Sequence, residues 1–398
     1  MKILQFTTYS LKQLDHGGKI RSYYIKQGLS KFSEIETLSF SWEENEGLSG
    51  FEVSLSSPRY AEQGGHYLLG DIAIDDYLQS STQLYTEIGK LVEDYAPTHV
   101  LIEQPFLWPV IKRLFKEGHL SQGTRVVYSS HNIEHLLKKK IYSDLLPADE
   151  AESLTETVKN IELDLTKRAD LLLSVSNQEK DYLATYNYSS PIVVIANGNN
   201  SATYDSRTQA WKDKFDVEDG VNWIFVGSWH PPNINGLLEL QKEMLGNDSK
   251  VSAKIWVLGS VANGLEADVA WNKKCGDYFD LIGPVSIEDL DGAIRACDGI
   301  ILPIWEGAGS NLKTSQALIS GKRIIATSFA FRGFEEYLSE DGVVVVDSVE
   351  QFVLAMQNIS KEQRIYKRDK CVEALTWDGI LDRFSRESLI IEFFQGNK

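Results

Sequence analysis

Gly299-Ile-Ile-Leu-Pro-Ile-Trp-Glu-Gly-Ala-Gly-Ser-Asn-Leu-Lys-Thr-Ser-Gln-Ala-Leu318 reads as a strand, a turn and the opening of a helix. Its β-branched start is closed by Pro303, and the segment that follows leads into a helix. Glycines in such a turn let the backbone approach a ligand closely, and the free amides at a helix start carry partial positive charge. Lys313 adds a full cation at the same place. The segment is therefore a candidate anion site, although the same residues also describe a plain strand-to-helix turn with a surface lysine.

The strand-then-helix rhythm extends outward in both directions. In the first half, strands are predicted at Lys2–Phe6, Glu34–Phe40, His99–Ile102, Arg125–Ser129, Leu171–Val175 and Ile192–Ile195. Leu154, Val158, Ile161 and Leu165 put one apolar stripe on an intervening helix. The cycle restarts after Asn197-Gly-Asn-Asn-Ser201 with Trp223–Gly227, Lys254–Leu258, Leu281–Gly283, Gly299–Leu302, Arg323–Thr327 and Val343–Val346. Such alternation predicts an α/β fold with two doubly wound, Rossmann-like parallel-sheet domains, which suits a chain of 398 residues. The polar stretch from Asn197 to about Gly220 is the expected hinge. Two helical stretches, Gln351–Ala374 and Asp378–Phe394, divided by Thr376-Trp377, finish the chain. Between Phe40 and Asp75 no pattern is legible.

Composition removes several function classes. Apolar residues at 42% and charged residues at 24% are normal for a globular protein. No apolar run approaches the roughly 20 residues that span a bilayer. Met1–Phe6 turns polar at Thr7, too early for a signal peptide core, and reads as a first strand. Cys275, Cys297 and Cys371 have no paired spacing, so neither a disulfide framework nor a zinc site is expected, and a cytoplasmic location fits. The balance of 40 basic against 57 acidic residues, −17 overall, opposes binding to nucleic acid or an anionic membrane. Lys112-Arg113 with Lys116 and Lys138-Lys-Lys140 are local exceptions; solvated helix faces account for them more simply than peripheral membrane contact does.

Open α/β sheets bind ligands beyond the carboxyl ends of their strands. Ser129-Ser-His-Asn-Ile-Glu-His135 puts His131 there in the first half. On its own such a histidine is more often structural. Asp15-His-Gly-Gly-Lys-Ile-Arg21 offers Gly17 and Gly18 for close approach and Lys19 or Arg21 for charge, yet Gly-Gly before a helix is also common punctuation. Phe225-Val-Gly-Ser-Trp-His-Pro-Pro-Asn-Ile-Asn-Gly236 is a strand and turn at the head of the second series. Asp289-Leu-Asp291 has the spacing of a metal-binding acidic pair but falls on a predicted solvated helix face, so no metal is expected. No P-loop is present, and no Gly-x-Gly-x-x-Gly follows the first strand of either half, which disfavours kinases and dinucleotide oxidoreductases.

The loop Gly307-Ala-Gly309-Ser-Asn-Leu-Lys313-Thr-Ser-Gln316-Ala317 resembles the donor signature of the GT4-like retaining glycosyltransferases, in the subgroup reading Gly-x-Gly-x-x-x-Lys followed by Glu-Ala. The resemblance implies the GT-B fold, with two domains facing across a cleft and a nucleotide-diphosphate sugar as donor. It assigns Lys313 to the diphosphate and position 316 to the ribose hydroxyls, and here position 316 is glutamine, which lacks the carboxylate charge. It places Gly309, Ser310, Asn311, Leu312, Gly227 and Ser228 around the donor, with Gly17, Gly18 and Arg21 over the diphosphate. His131 would meet the donor sugar or its phosphate, Glu306 would orient the sugar ring, and Asn132 and Glu134 would hold the loop or meet the acceptor. The Gly227-Ser228 turn matches a subgroup without the usual Arg and Lys, leaving Lys313 as the main phosphate cation. Asn197-Gly198 and Trp377-Asp-Gly-Ile380 resemble the family's domain junction and final crossover. The implied domains are 1–198 completed by 378–398 on the acceptor side, and 199–377 for the nucleotide sugar.

The expected function is a cytoplasmic, metal-independent hexosyltransferase without a cofactor, acting on a glycan, lipid-linked or protein acceptor in surface polysaccharide or glycoconjugate assembly. Two alternatives share the fold: a nucleotide-sugar 2-epimerase, and a non-catalytic protein that binds glycan or a partner.

Overall fold

The structure is a computed structural model that describes residues 1–398 except 15–16, 63–64, 66–68, 188, 201–206, 216–219, 247–252, 272–277, 308–310, 360, 362–363 and 396–398. The chain divides into two compact units, Met1–Asn197 with Ile380–Lys398, and Gly198–Gly379.

The first unit carries β1 (Lys2–Thr7), β2 (Glu34–Glu43), β3 (Gly47–Ser49), β4 (Glu52–Ser56), β5 (His99–Glu103), β6 (Arg125–Ser129), β7 (Leu171–Ser174) and β8 (Ile192–Val194) in one sheet of order β3-β4-β2-β1-β5-β6-β7-β8. All pairs are parallel except β3 with β4. The inner strands β5 and β7 are buried along their whole length, as a sheet covered on both faces demands. The β3–β4 hairpin lies in the stretch between Phe40 and Asp75, where no pattern is legible from sequence. It turns through Gly50-Phe51, with Gly50 at φ 59°, a left-handed conformation suited to glycine. Val53 and Leu55 alternate inward along β4, a period-two signal too short to register in a polar context.

The second unit has β9 (Val221–Val226), β10 (Ala253–Leu258), β11 (Phe279–Gly283), β12 (Gly299–Leu302), β13 (Arg323–Ala326) and β14 (Val343–Val345) in an all-parallel sheet of order β11-β10-β9-β12-β13-β14. Its core is built on Trp223 and Trp256, both fully buried. Helices Ile287–Ala296 and Val349–Gln357 begin at Ser286 and Ser348, whose hydroxyls accept the amides of Asp289 and Gln351. The predicted helix Gln351–Ala374 is two helices, Val349–Gln357 and Asp369–Leu375.

Residues from Ile380 onward complete the first unit. Leu381 and Phe384 pack so closely on Gly28 that a Cβ there would lie 2.8 and 3.0 Å from them. Phe32 meets Phe394 at 5.8 Å, and Arg125 stacks on the Phe393 ring at 3.7 Å while donating to the Phe393 carbonyl.

Several surface expectations resolve into local pairing. Lys112 pairs with Asp164 at 2.7 Å, Lys138 with Asp71 at 3.1 Å, and Arg113 reaches Asp75 and lies over Tyr85. Three of the six cations in the basic runs are thus paired with neighbouring acids. In Asp289-Leu-Asp291 only Asp289 faces solvent, paired with Arg207; Asp291 is 7% exposed and meets Arg295, which corrects the reading of both as a solvated face. Cys297 and Cys371 are buried free thiols, and Cys275 lies outside the described residues. Among the described residues no helix is long and apolar enough to cross a membrane.

Candidate functional site

At the carboxyl ends of the second unit's strands, glycines bring three loops together. Gly259 sits at φ 93°, and a Cβ on it would lie 2.2 Å from the Gly227 carbonyl oxygen. A Cβ on Gly236 would fall 1.9 Å from the Pro303 oxygen, so the helix Pro231–Gly246 packs directly on the loop after β12. A Cβ on Gly227 would meet Lys313 Cε at 3.3 Å. These hydrogen-only positions are what let the turn after β9 and the start of the helix Leu312–Ile319 touch.

Lys313 is the second residue of that helix. Asn311 Nδ2 and Thr314 Oγ1 both donate to the Ala330 carbonyl, and Asn199 Nδ2 donates to the Leu312 carbonyl at 2.8 Å, so the helix start is fixed. Burial pushes the Lys313 amine down to about 8. Among the described residues no carboxylate pairs with it. An ammonium removed from water with no counter-charge is destabilised until an anion arrives.

Gln316 follows one turn later, half-buried, its side-chain amide making no hydrogen bond among the described residues. Glu306 is exposed and accepts from Asn235 Nδ2 at 2.7 Å. It lines an open groove of about 520 Å³ with Pro232, Asn235, Glu239, Trp305 and Asp347.

The first unit's strand ends are built differently. Glu103, the last residue of β5, is fully buried and accepts from Gln5 Nε2 at 2.8 Å and from His131 Nε2 at 2.8 Å. Gln5 is locked in turn, accepting from Thr37 Oγ1 at 2.8 Å. Burial opposes charge on His131 more strongly than Glu103 favours it, so its pKa is lowered and the ring is neutral near pH 7. Burial works against the Glu103 carboxylate, but its hydrogen bonds from His131 and Gln5 and the nearby Arg21 charge hold its pKa below the ordinary value. The His131 proton therefore sits on Nε2, facing Glu103, and Nδ1 is left as an acceptor.

Below this pair, Glu162 accepts from the amides of Glu134 and His135, from Tyr128 Oη and, in the tautomer protonated at Nδ1, from the His135 ring. A buried carboxylate thereby caps the helix Glu134–Leu145 and fixes the loop that carries His131. Glu134 is itself buried, and desolvation, followed by the charge of Glu162, raises its pKa to about 7. Asn132 Nδ2 donates to it at 3.3 Å, so these two side chains hold the loop.

Of the sequence candidates, the second unit's Gly227, Lys313, Asn311 and Leu312 converge, with Ser228 adjoining through its carbonyl, which accepts from Asn233 Nδ2. Gly309 and Ser310 lie outside the described residues, as do Asp15 and His16. Gly17 and Gly18 open the helix Gly17–Ser30 rather than forming a loop. Arg21 is 1% exposed and turns Nη1 to the Ile195 carbonyl and Asn197 Oδ1, which makes it a wall residue rather than an open cation. Glu103 and Gln5 were not singled out from sequence, because a polar residue inside a buried strand carries no local signal of its partner.

No protein-family model and no curated protein sequence matches the chain. Solved structures do. Sucrose-phosphate synthase from Thermosynechococcus elongatus aligns over 100% of both chains with a TM-score of 0.67 and 12% identity. HepE from Anabaena, solved with UDP and glucose, aligns over 97% of this chain and 98% of its own, with a TM-score of 0.64 and 13% identity. A UDP-forming α,α-trehalose-phosphate synthase from Burkholderia xenovorans aligns over 97% and 98%, with a TM-score of 0.56 and 10% identity. The fold is GT-B. At these identities the likeness concerns the fold, and function has to be argued from the site.

Proposed function

We propose that the protein is a GT4-like, retaining glycosyltransferase that moves a sugar from a nucleoside-diphosphate donor to a hydroxyl of a glycan, lipid-linked or protein acceptor. The observation that carries this reading is Lys313, a desolvated cation without a carboxylate partner among the described residues, lying against Gly227 at the carboxyl end of β9. A diphosphate is the anion that a nucleotide sugar would bring to it. HepE, of the same fold, was solved with UDP and with UDP-glucose, which makes uridine nucleotides the first donors to test.

In the proposed step the acceptor oxygen bonds to the anomeric carbon on the same face from which the donor phosphate departs, so that breaking the old bond leaves the configuration retained. The diphosphate leaves with the electron pair and takes up on a phosphate oxygen the proton that the acceptor hydroxyl gives off, and Lys313 stabilises the charge that develops on it. Glu306 is assigned to sugar hydroxyls. His131, with its proton turned to Glu103, is assigned to accept from a hydroxyl through Nδ1, a refinement of the expected contact with sugar or phosphate. Because Lys313 supplies the cation, the reaction proposed is metal-independent and keeps its rate in EDTA. A cytoplasmic site of action completes the reading.

The test is turnover of UDP-, GDP-, ADP- and dTDP-sugars. Sugar released or transferred by the wild type and lost in Lys313→Ala supports the proposal. A 2-epimerised donor would replace it with the isomerase, and donor binding without any turnover would replace it with a non-catalytic binding protein.

A further inference from the structure

Trp229 is 63% exposed, a large aromatic left in water two residues beyond Gly227. Its position is nevertheless fixed. The Trp229 amide donates to Ser260 Oγ at 2.7 Å, the Val261 amide to the Gly227 carbonyl at 3.2 Å, and the Gly227 amide to the Leu258 carbonyl at 2.9 Å. Two of these bonds tie the turn after β9 to the start of the helix Ser260–Ala267, and the third ties it to the end of β10.

The indole lies on that helix at Gly264, where a Cβ would stand 2.3 Å from Trp229 Cδ1 and 2.8 Å from Nε1. Glycine is a poor helix former, and an alanine here would favour the helix but lift the ring. One side of the indole therefore rests on a glycine notch while the rest stays open at the strand ends. Beside it, the exposed Asn263 has its Oδ1 close to Gly283, at the end of β11, and offers both a donor and an acceptor.

We infer that Trp229 is a stacking platform for the base of a nucleoside diphosphate whose phosphates bind Lys313. This rests on the donor reading above and adds a residue that the loop signature does not contain. A planar base is the ligand part that gains most from a flat, fixed indole, and stacking tolerates any base. The base would then be held by area and the phosphates by charge, through two separate groups of one unit.

That separation sets the experiment: titration calorimetry of UDP and of pyrophosphate against wild type, Trp229→Ala, Trp229→Phe and Gly264→Ala. Trp229→Ala is expected to weaken UDP roughly ten- to a hundredfold and to leave pyrophosphate unchanged. Trp229→Phe should recover most of the loss, and Gly264→Ala should weaken UDP alone. Unchanged UDP binding in Trp229→Ala overturns the inference and leaves the donor reading intact. Equal loss of UDP and pyrophosphate also overturns it, because Trp229 would then act only by holding the turn. A wild type that binds neither ligand refutes the donor reading, and this inference with it.

Discussion

Glu103 and Lys313 are both charges withdrawn from water at the carboxyl ends of parallel strands, and the two units treat them in opposite ways. Glu103 is satisfied from within: Gln5 and His131 donate to it, and Arg21 lies near enough to favour its charge. Lys313 is held out of water, and among the described residues no carboxylate offsets it. The Glu103 carboxylate has its partners before any ligand arrives. The Lys313 site is incomplete without one, and the cost of the bare ammonium is relieved only when an anion binds. A carboxylate satisfied by its own neighbours reads as positioning, and a desolvated ammonium with no carboxylate partner among the described residues reads as a binding site.

Of the two charges, Glu103 carries the larger expected effect. Glu103→Ala strands buried Arg21 and His131 and should cost about 3–5 kcal/mol in urea unfolding. Glu103→Gln, which keeps the volume and one acceptor, should cost less. A loss under about 1 kcal/mol for the alanine variant would mean that the network is not the framework described.

Next in size is Lys313→Ala, expected to lower transferase kcat roughly 10²- to 10³-fold, with UDP affinity falling as well. Stability should move the other way, since the variant removes a largely desolvated charge that has no carboxylate partner among the described residues.

The pH dependence sharpens the same point. With the amine near 8, the charged fraction falls about tenfold between pH 7 and pH 9, while a nucleotide's terminal phosphate, pKa about 6, stays ionised. UDP affinity should therefore weaken roughly tenfold across that range. Folding runs in the opposite sense: the native pKa lies below the unfolded one, the unfolded chain binds more protons between about 8 and 10.5, and this group's contribution to stability rises with pH there. Lys313→Met should flatten both trends. Parallel trends in wild type would refute the assignment.

The smallest effect concerns Gln316. Gln316→Glu restores a carboxylate that can accept charge-assisted hydrogen bonds from ribose hydroxyls, and UDP should bind several-fold more tightly, about 1 kcal/mol. An unchanged or weaker affinity would detach position 316 from the ribose.

The fold was legible because its signal is periodic. Twelve strands predicted from β-branched runs between helical stretches all occur, most within two residues of their ends. What escaped was the β3–β4 hairpin, whose three-residue β3 and polar β4 sit at a sheet edge where only Val53 and Leu55 turn inward. At the candidate site, the sequence showed that Lys313 follows a glycine loop. It did not show that Lys313 lies against Gly227, 86 positions earlier, or that no acid pairs with it among the described residues. The Glu103–His131 and Glu103–Gln5 hydrogen bonds, across 28 and 98 positions, were likewise invisible, because long-range pairing leaves no trace in spacing. Trp229 carries no sequence signal beyond its place after Gly227, because its exposure and the Gly264 notch are properties of the fold.

The return of Ile380–Lys398 to the first unit has a consequence for synthesis. The Phe32, Gly28 and Arg125 contacts are made with Phe384, Phe393 and Phe394, which leave the ribosome only after the whole second unit. Domains ordinarily fold in order of emergence. Here the unit that begins first finishes last, so a nascent chain stalled at residue 379 should hold a folded second unit behind a first unit still lacking its closing aromatic layer.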